Sequence, residues 1–213
     1  MSYLVKEIFL SVQGEGLNAD RVALFLRFAN CNMWSGREAD RGIGRGGCSM
    51  WCDTDFVGTD GPMGGRYQSP SDLAAVVHDL WPAGEGDRLV VCTGGEPLLQ
   101  LDIPLIDALH QAGFNVAIES NGTIPIPPGI DWVCISPKAG APIVVDHGDE
   151  LKLVYPQVGM SPADFEHLNF GAFILQPLDG PEVQENTQKV LHYCLQHPRW
   201  QIGLQLHKIL KLK

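Results

Sequence analysis

The chain of 213 residues lacks any uninterrupted apolar run near the roughly 20 residues that a bilayer-crossing helix needs, so no membrane span is expected. The opening MSYLVKEIFLSV interrupts its apolar stretch with Lys6 and Glu7 and offers no small-residue cleavage site, so no secretory signal is expected either. Positive charge is scarce: 15 Lys and Arg stand against 25 Asp and Glu, a net charge of −10. Such a surface repels a phosphate backbone and excludes DNA or RNA binding as the main task, although one pocket can still be locally positive. Internal repeats, low-complexity tracts and long linkers are also missing. One domain spanning residues 1–213, long enough to bury a core, is expected. A cytoplasmic location follows, where thiols stay reduced and clustered cysteines favour metal or redox chemistry over disulfides.

Against these absences, residues 29–55 (ANCNMWSGREADRGIGRGGCSMWCDTD) hold three of the six cysteines, Cys31, Cys48 and Cys52, in a polar glycine-rich loop. Packing does not require thiols there. A structural zinc site takes four ligands and a catalytic one three plus water, often with His, and no His lies in this loop. An all-thiolate set suits an iron–sulfur cluster, and three ligands on four irons leave one iron open. A disulfide with a spare thiol, or three small core residues, are the plainer alternatives. Cys92, Cys134 and Cys194 lie in or beside apolar segments and read as buried free thiols.

Strands are expected at residues 5–12, 23–28, 89–92, 115–119, 132–135, 151–154, 172–175 and 201–206. Many are continuous apolar runs, as in parallel strands covered on both faces. Helices are expected from Ser69-Pro70 through Leu80, from Asp102 to Ala112 with Gly113 as the stop, briefly at Ser161-Pro162, and from Glu182 to His197. Strand and helix alternate after about residue 70, the βα pattern of an α/β sheet or barrel whose ligands gather at the carboxyl ends of the strands.

Polar residues sit at those ends. Thr93-Gly94-Gly95-Glu96-Pro97 lets backbone approach a ligand, with Glu96 able to hold an ammonium; a tight turn with a solvated acid reads equally well. Glu119-Ser120-Asn121-Gly122, Ser136-Pro137-Lys138 and Gln176-Pro177-Leu178-Asp179 supply the groups a nucleoside needs. Gln13 and Glu15 can read a purine- or pterin-like edge, and Arg27 suits a carboxylate. Asp53, Thr54 and Asp55 follow Cys52 and offer hard oxygens for Mg²⁺, or simple backbone caps. His207 and Lys208 are placed at the end of the last strand.

The ending C-x-x-W-C-D-T-D of the cysteine loop, with TGGEP on a later strand, resembles the radical S-adenosylmethionine superfamily. KEIFLSVQGEG, RFANCNMWSGRE, WCDTDFVGTDG, CTGGEPLLQLD, IESNGT, ISPKA, LQPLDGP and LQLHK narrow the resemblance to the 7-carboxy-7-deazaguanine synthase family, over nearly the whole chain. The resemblance implies an incomplete, modified (β/α) barrel of the radical SAM type. It implies a carbon–nitrogen lyase that turns 6-carboxy-5,6,7,8-tetrahydropterin into 7-carboxy-7-deazaguanine with loss of ammonia, on the queuosine branch of 7-deazapurine biosynthesis. Cys31, Cys48 and Cys52 would ligate a [4Fe–4S] cluster whose fourth iron chelates S-adenosylmethionine, the source of a 5′-deoxyadenosyl radical. Trp51, Asp53, Gly95, Glu96, Ser136, Pro137, Lys138, Gln176, Pro177, Leu178 and Asp179 match cofactor-binding positions. Val12, Gln13, Gly14, Glu15, Arg27, Thr93, His207 and Lys213 match the substrate pocket, and Thr54 a Mg²⁺ ligand. An electron donor such as flavodoxin and a homodimer are implied as well.

The superfamily spacing C-x3-C-x2-C is stretched here: sixteen residues separate Cys31 from Cys48, and three separate Cys48 from Cys52. Gly46-Gly47 is expected to absorb the extra residue. Two other functions fit parts of the pattern. A glycyl-radical activating enzyme shares TGGEP but does not need the QGEG turn, Arg27 or Thr54. A zinc-bound interaction module would join the three thiols to His207.

Overall fold

A computed structural model describes residues 2–83 and 86–212. Its nine described strands form one open sheet, in the order β3-β1-β2-β4-β5-β6-β7-β8-β9. They are β1 Tyr3–Val12, β2 Val22–Phe28, β3 Gly65–Tyr67, β4 Arg88–Gly94, β5 Phe114–Ser120, β6 Trp132–Ile135, β7 His147–Tyr155, β8 Asn169–Pro177 and β9 Trp200–Ile202. β1 runs antiparallel to β2 and β3, whereas β2, β4 and each later strand pair in parallel. The sheet does not close, since β3 and β9 are its edges. This is the incomplete barrel expected.

Side chains alternate between the faces of each strand. Leu24, Leu26 and Phe28 of β2, Val90 and Cys92 of β4, and Val116 and Ile118 of β5 join the larger apolar cluster. That cluster also holds Leu73 and Val77 of α1 (Pro70–Leu80) and Leu105, Ile106 and Leu109 of α2 (Ile103–Gln111). The opposite face begins apolar, with Ala23, Leu89, Val91 and Ala117. Further along each strand it becomes polar, at Arg27 after Phe25, at Thr93 and at Glu119, which line a cavity. The period of two thus turns one strip of each strand from core into site. Leu151, Leu153, Phe173 and Leu175 pack outward in a second cluster with Val190 and Cys194 of α3 (Val183–Gln196), leaving Lys152 and Gln176 on the cavity side.

Local chemistry sets the helix ends. The Ser69 hydroxyl accepts from the Asp72 N–H at 3.1 Å, and the Asp102 carboxylate caps α2 through the Leu105 N–H at 3.2 Å. Gly113, at φ +86°, ends α2 in the left-handed region. No described helix is long and apolar enough to cross a membrane.

Two sequence expectations need correction. Helices do not alternate with every strand: the β5–β6 and β6–β7 connections carry none among the described residues. Pro125, Pro127 and Pro128 lack N–H donors, so the first connection cannot be helical; Ile124, Ile126 and Ile130 cover the sheet from extended chain instead. The final strand stops at Ile202, and residues 206–208, with His207 and Lys208, belong to a short helix, α4 (Leu206–Leu210). The chain leaves the sheet there because the Leu206 N–H turns to the Gly14 carbonyl at 2.8 Å.

Candidate active site

The carboxyl ends of the strands surround a cavity of about 420 Å³. Of the residues expected to act, it is lined by Val12, Gln13, Gly14, Glu15, Arg27, Trp51, Cys52, Asp53, Thr54, Thr93, Gly95, Ser136, Lys138, Gln176, Pro177, Leu178, Asp179 and His207. Cys48, Glu96 and Pro137 are not among its lining residues, Cys31 lines a second pocket with Asn32, Met33 and Arg45, and Lys213 lies outside the described residues.

The thiol loop is held from several sides. Asn30, at φ +74°, turns the chain into Cys31, and its carbonyl accepts from the Glu96 N–H at 2.9 Å. The extra residue between the other two thiols is taken up by a 3₁₀ turn over Gly47–Met50. Both the Trp51 and Cys52 N–H groups return to the Cys48 carbonyl, at 3.0 and 2.7 Å, and the Gly47 N–H anchors the turn on the Ala139 carbonyl at 2.7 Å. A longer spacing therefore still closes a compact turn.

Burial pushes the Cys48 thiol up to about 11 and raises Cys31 too, with the Met33 and Trp34 N–H groups pulling Cys31 the other way. Cys48 senses Cys52 and Cys31 electrostatically, and Cys31 senses Glu96 and Cys52. Among the described residues, no three His, Cys, Asp or Glu side chains converge on one ion position. His207 packs on Gly14 rather than completing a ligand set. Of the three thiols Cys52 alone lines the cavity, and an all-thiolate set within one loop is the donor chemistry that an iron–sulfur cluster takes.

The structure gives Glu96 a role other than the expected one of ammonium holder. Its carboxylate is fully buried and accepts from the Leu98 N–H at 3.0 Å, the Ser120 hydroxyl at 2.9 Å and the Asn121 N–H at 2.8 Å. Burial raises its pKa, against those three donors. Glu96 therefore shapes the turn, while Thr93, Gly94 and Gly95 face the cavity.

Opposite the thiols, Glu15 and Glu119 meet the Lys152 ammonium, 2.6 and 3.3 Å away. Gln205 donates to Glu15 at 2.8 Å, and Thr93 to Glu119 at 3.2 Å. Burial acts to raise Glu15, but the Lys152 charge, its hydrogen bond and that of Gln205 prevail and hold the carboxyl near 2. A carboxylate depressed on folding contributes stability above its ordinary 4.5, and this is lost as pH falls toward 2. Glu15→Gln is accordingly expected to flatten the acid limb of the stability curve, read by urea unfolding between pH 5 and pH 2.5; an unchanged limb sinks that account.

Arg27 Nε donates to Glu7 at 3.0 Å beneath the stacked rings of Phe9 and Phe25. Asp53 and Asp179 share the Lys208 ammonium at 2.6 and 2.5 Å. Asp55 pairs with Lys6 at 2.9 Å, and Asp53, Thr54 and Asp55 all line the cavity. Gly14 lets α4 dock, because a Cβ there would lie 2.3 Å from His207 Nδ1 and 2.7 Å from the His207 backbone nitrogen. Gly14→Ala should force α4 away at a cost of roughly 1–3 kcal/mol. Faster amide exchange over residues 206–210 would show it; unchanged protection would mean the clash is relieved elsewhere.

Lys152, Gln205 and Lys208 are site residues that the sequence reading did not assign. Lys152 was legible in principle: Glu150 and Lys152 alternate with Leu151 and Leu153, so a charged strip must face inward.

No protein-family model matches the chain. It is 56% identical over 213 residues to the 7-carboxy-7-deazaguanine synthase of Bradyrhizobium diazoefficiens, covering 100% of both chains. It is 56% identical over 212 residues to that of Caulobacter vibrioides, again with 100% of each covered, and 51% identical over 216 residues to that of Nitratidesulfovibrio vulgaris, with 99% of each covered. The crystal structure of QueE from Escherichia coli superimposes with a TM-score of 0.69 at 26% identity, covering 97% of this chain and 95% of that one. Identity at this level over the full length of both partners means that the chain belongs to the 7-carboxy-7-deazaguanine synthase family.

Proposed function

We propose that this enzyme converts 6-carboxy-5,6,7,8-tetrahydropterin into 7-carboxy-7-deazaguanine with release of ammonia, as a single radical S-adenosylmethionine domain over residues 1–213. Beyond family membership, one observation carries the reading: a single cavity is lined by the last thiol of the loop and by the acid and amide groups of the QGEG turn. A [4Fe–4S] cluster held by Cys31, Cys48 and Cys52, with S-adenosylmethionine, supplies the one-electron chemistry when bound.

The chain's own residues bind and orient. On the loop side, Trp51, Asp53, Gly95, Ser136, Lys138 and the Gln176–Asp179 segment hold the cofactor, with Glu96 and Pro137 shaping the wall behind. Gln176, Pro177, Leu178 and Asp179 all line the cavity, which supports this placement. On the far side, Val12, Gln13, Gly14, Glu15, Thr93 and His207 receive the pterin ring and Arg27 its carboxylate. Thr54 offers its hydroxyl to Mg²⁺ beside that carboxylate. A reductant such as flavodoxin, a homodimeric assembly and a cytoplasmic setting belong to the same reading, supported by the family resemblance.

The test is anaerobic reconstitution with iron and sulfide, then reduction in the presence of S-adenosylmethionine, Mg²⁺ and the pterin. Mass spectrometry should find 7-carboxy-7-deazaguanine. Cofactor cleavage with the pterin left intact would overturn the substrate, and omission of Mg²⁺ with no loss of rate would overturn the role of Thr54.

A further inference from the structure

Lys152 lies in β7 with 5% exposure, on the wall of the cavity. A lone ammonium there would lose its hydration without return. Its two carboxylate partners come from distant parts of the chain, Glu15 from the turn after β1 and Glu119 from the end of β5. Neutral donors hold both: Gln205 binds Glu15 Oε1, Thr93 binds Glu119 Oε2, and Gln13 donates at 3.2 Å to the Glu119 Oε1 that also meets Lys152. The further groups facing this trio are Glu150 on the same strand, Cys134 on β6, Lys138 beyond β6 and His207 on α4. Two carboxylates against one ammonium leave an excess negative charge open to the cavity. A ligand that answers it must bring N–H donors, and the amino-pyrimidine edge of a pterin does so.

We propose that Lys152 is a positioning residue for the substrate ring: it clamps Glu15 and Glu119 in place as acceptors for the ring's N–H edge. The inference rests on the synthase reading for the identity of the ring, but the state of the clamp can be read without substrate. With the ammonium removed, two half-buried carboxylates lose the cation they share. One takes up a proton near neutral pH and turns from acceptor to donor, so that a ring N–H meets a donor.

Two readouts test this on the reconstituted enzyme, kept without reductant so that no turnover occurs. Carbon-13 labelled glutamate side chains should show Glu15 ionised at pH 5 in the wild type, and one of the two carboxylates protonated near pH 7 in Lys152→Gln. Calorimetric titration with 6-carboxytetrahydropterin should find Lys152→Gln at least about 10-fold weaker at pH 6.5, recovering as pH rises and releasing a proton on binding. Lys152→Arg should stay within about threefold of wild type at every pH, because guanidinium keeps its charge. Lys152→Gln binding as tightly as wild type at pH 6.5, or a Lys152→Arg enzyme whose affinity climbs with pH, overturns the proposal. Wild-type enzyme that ignores the pterin sinks the substrate assignment, while the glutamate resonances still decide what Lys152 does.

Discussion

Replacing Cys48 by alanine is expected to yield a folded, colourless protein that makes no detectable product, a fall of about 10³-fold or more in rate and so at least about 4 kcal/mol of barrier. The thiol is 3% exposed, and its removal deletes one small buried atom from a turn that is fixed by backbone hydrogen bonds rather than by sulfur. The fold should therefore survive at little cost. The cluster should not, because Cys31 and Cys52 cannot hold three irons between them, and no other thiol lies in the loop. Cys92→Ala makes the comparison sharp. That thiol is fully buried in the core between sheet and helices, where burial raises it to about 12, and its loss should lower stability while leaving the colour intact. Visible absorbance, iron content per chain and the resonance of the reduced cluster read all three proteins. A brown, active Cys48→Ala enzyme would mean that the i to i+4 pair of thiols has been misassigned.

Much of the site was legible in the sequence because its chemistry is local. The TGGEP turn and the QGEG turn are contiguous motifs, and the three thiols lie in one loop. What escaped notice depends on contacts distant in sequence. Lys152 sits in a strand that reads as core, and only the arrival of Glu15, 137 residues away, makes a buried ammonium tolerable. Glu96 looked like a ligand holder because a carboxylate after two glycines is usually solvent-facing; Ser120 and Asn121 from the next strand capture it instead. His207 and Lys208 looked like the end of a strand because the apolar alternation continues past Ile202. A hydrogen bond to Gly14 from the far end of the chain decides otherwise. The missing crossover helices were legible and were passed over: three prolines between residues 125 and 128 deny the donors that a helix needs.

The same distinction between local and distant causes makes Gly95→Ala a methyl group whose damage reaches the loop. A Cβ at Gly95 would stand 2.1 Å from the Asn30 carbonyl oxygen and 2.8 Å from the Cys31 Cβ. The first contact is with backbone, so no rotamer relieves it. Asn30 already holds a left-handed φ of +74°, and its carbonyl is the acceptor for the Glu96 N–H, so any retreat breaks that bond and moves Cys31 with it. Overpacking of this kind costs about 1–3 kcal/mol, and a protein of this size then melts roughly 2–12 °C lower. Stability alone does not separate this from ordinary damage, and Gly113→Ala provides the control. Gly113 also has a positive φ, +86°, but a Cβ there meets nothing within 4 Å, so its substitution strains the end of α2 without touching the loop. Both variants should melt lower than the wild type, whereas only Gly95→Ala should lose iron on reconstitution and product with it. Equal iron content in the two would show that the Cys31 turn can move without losing its ligand, and that the TGGEP turn does not set its position.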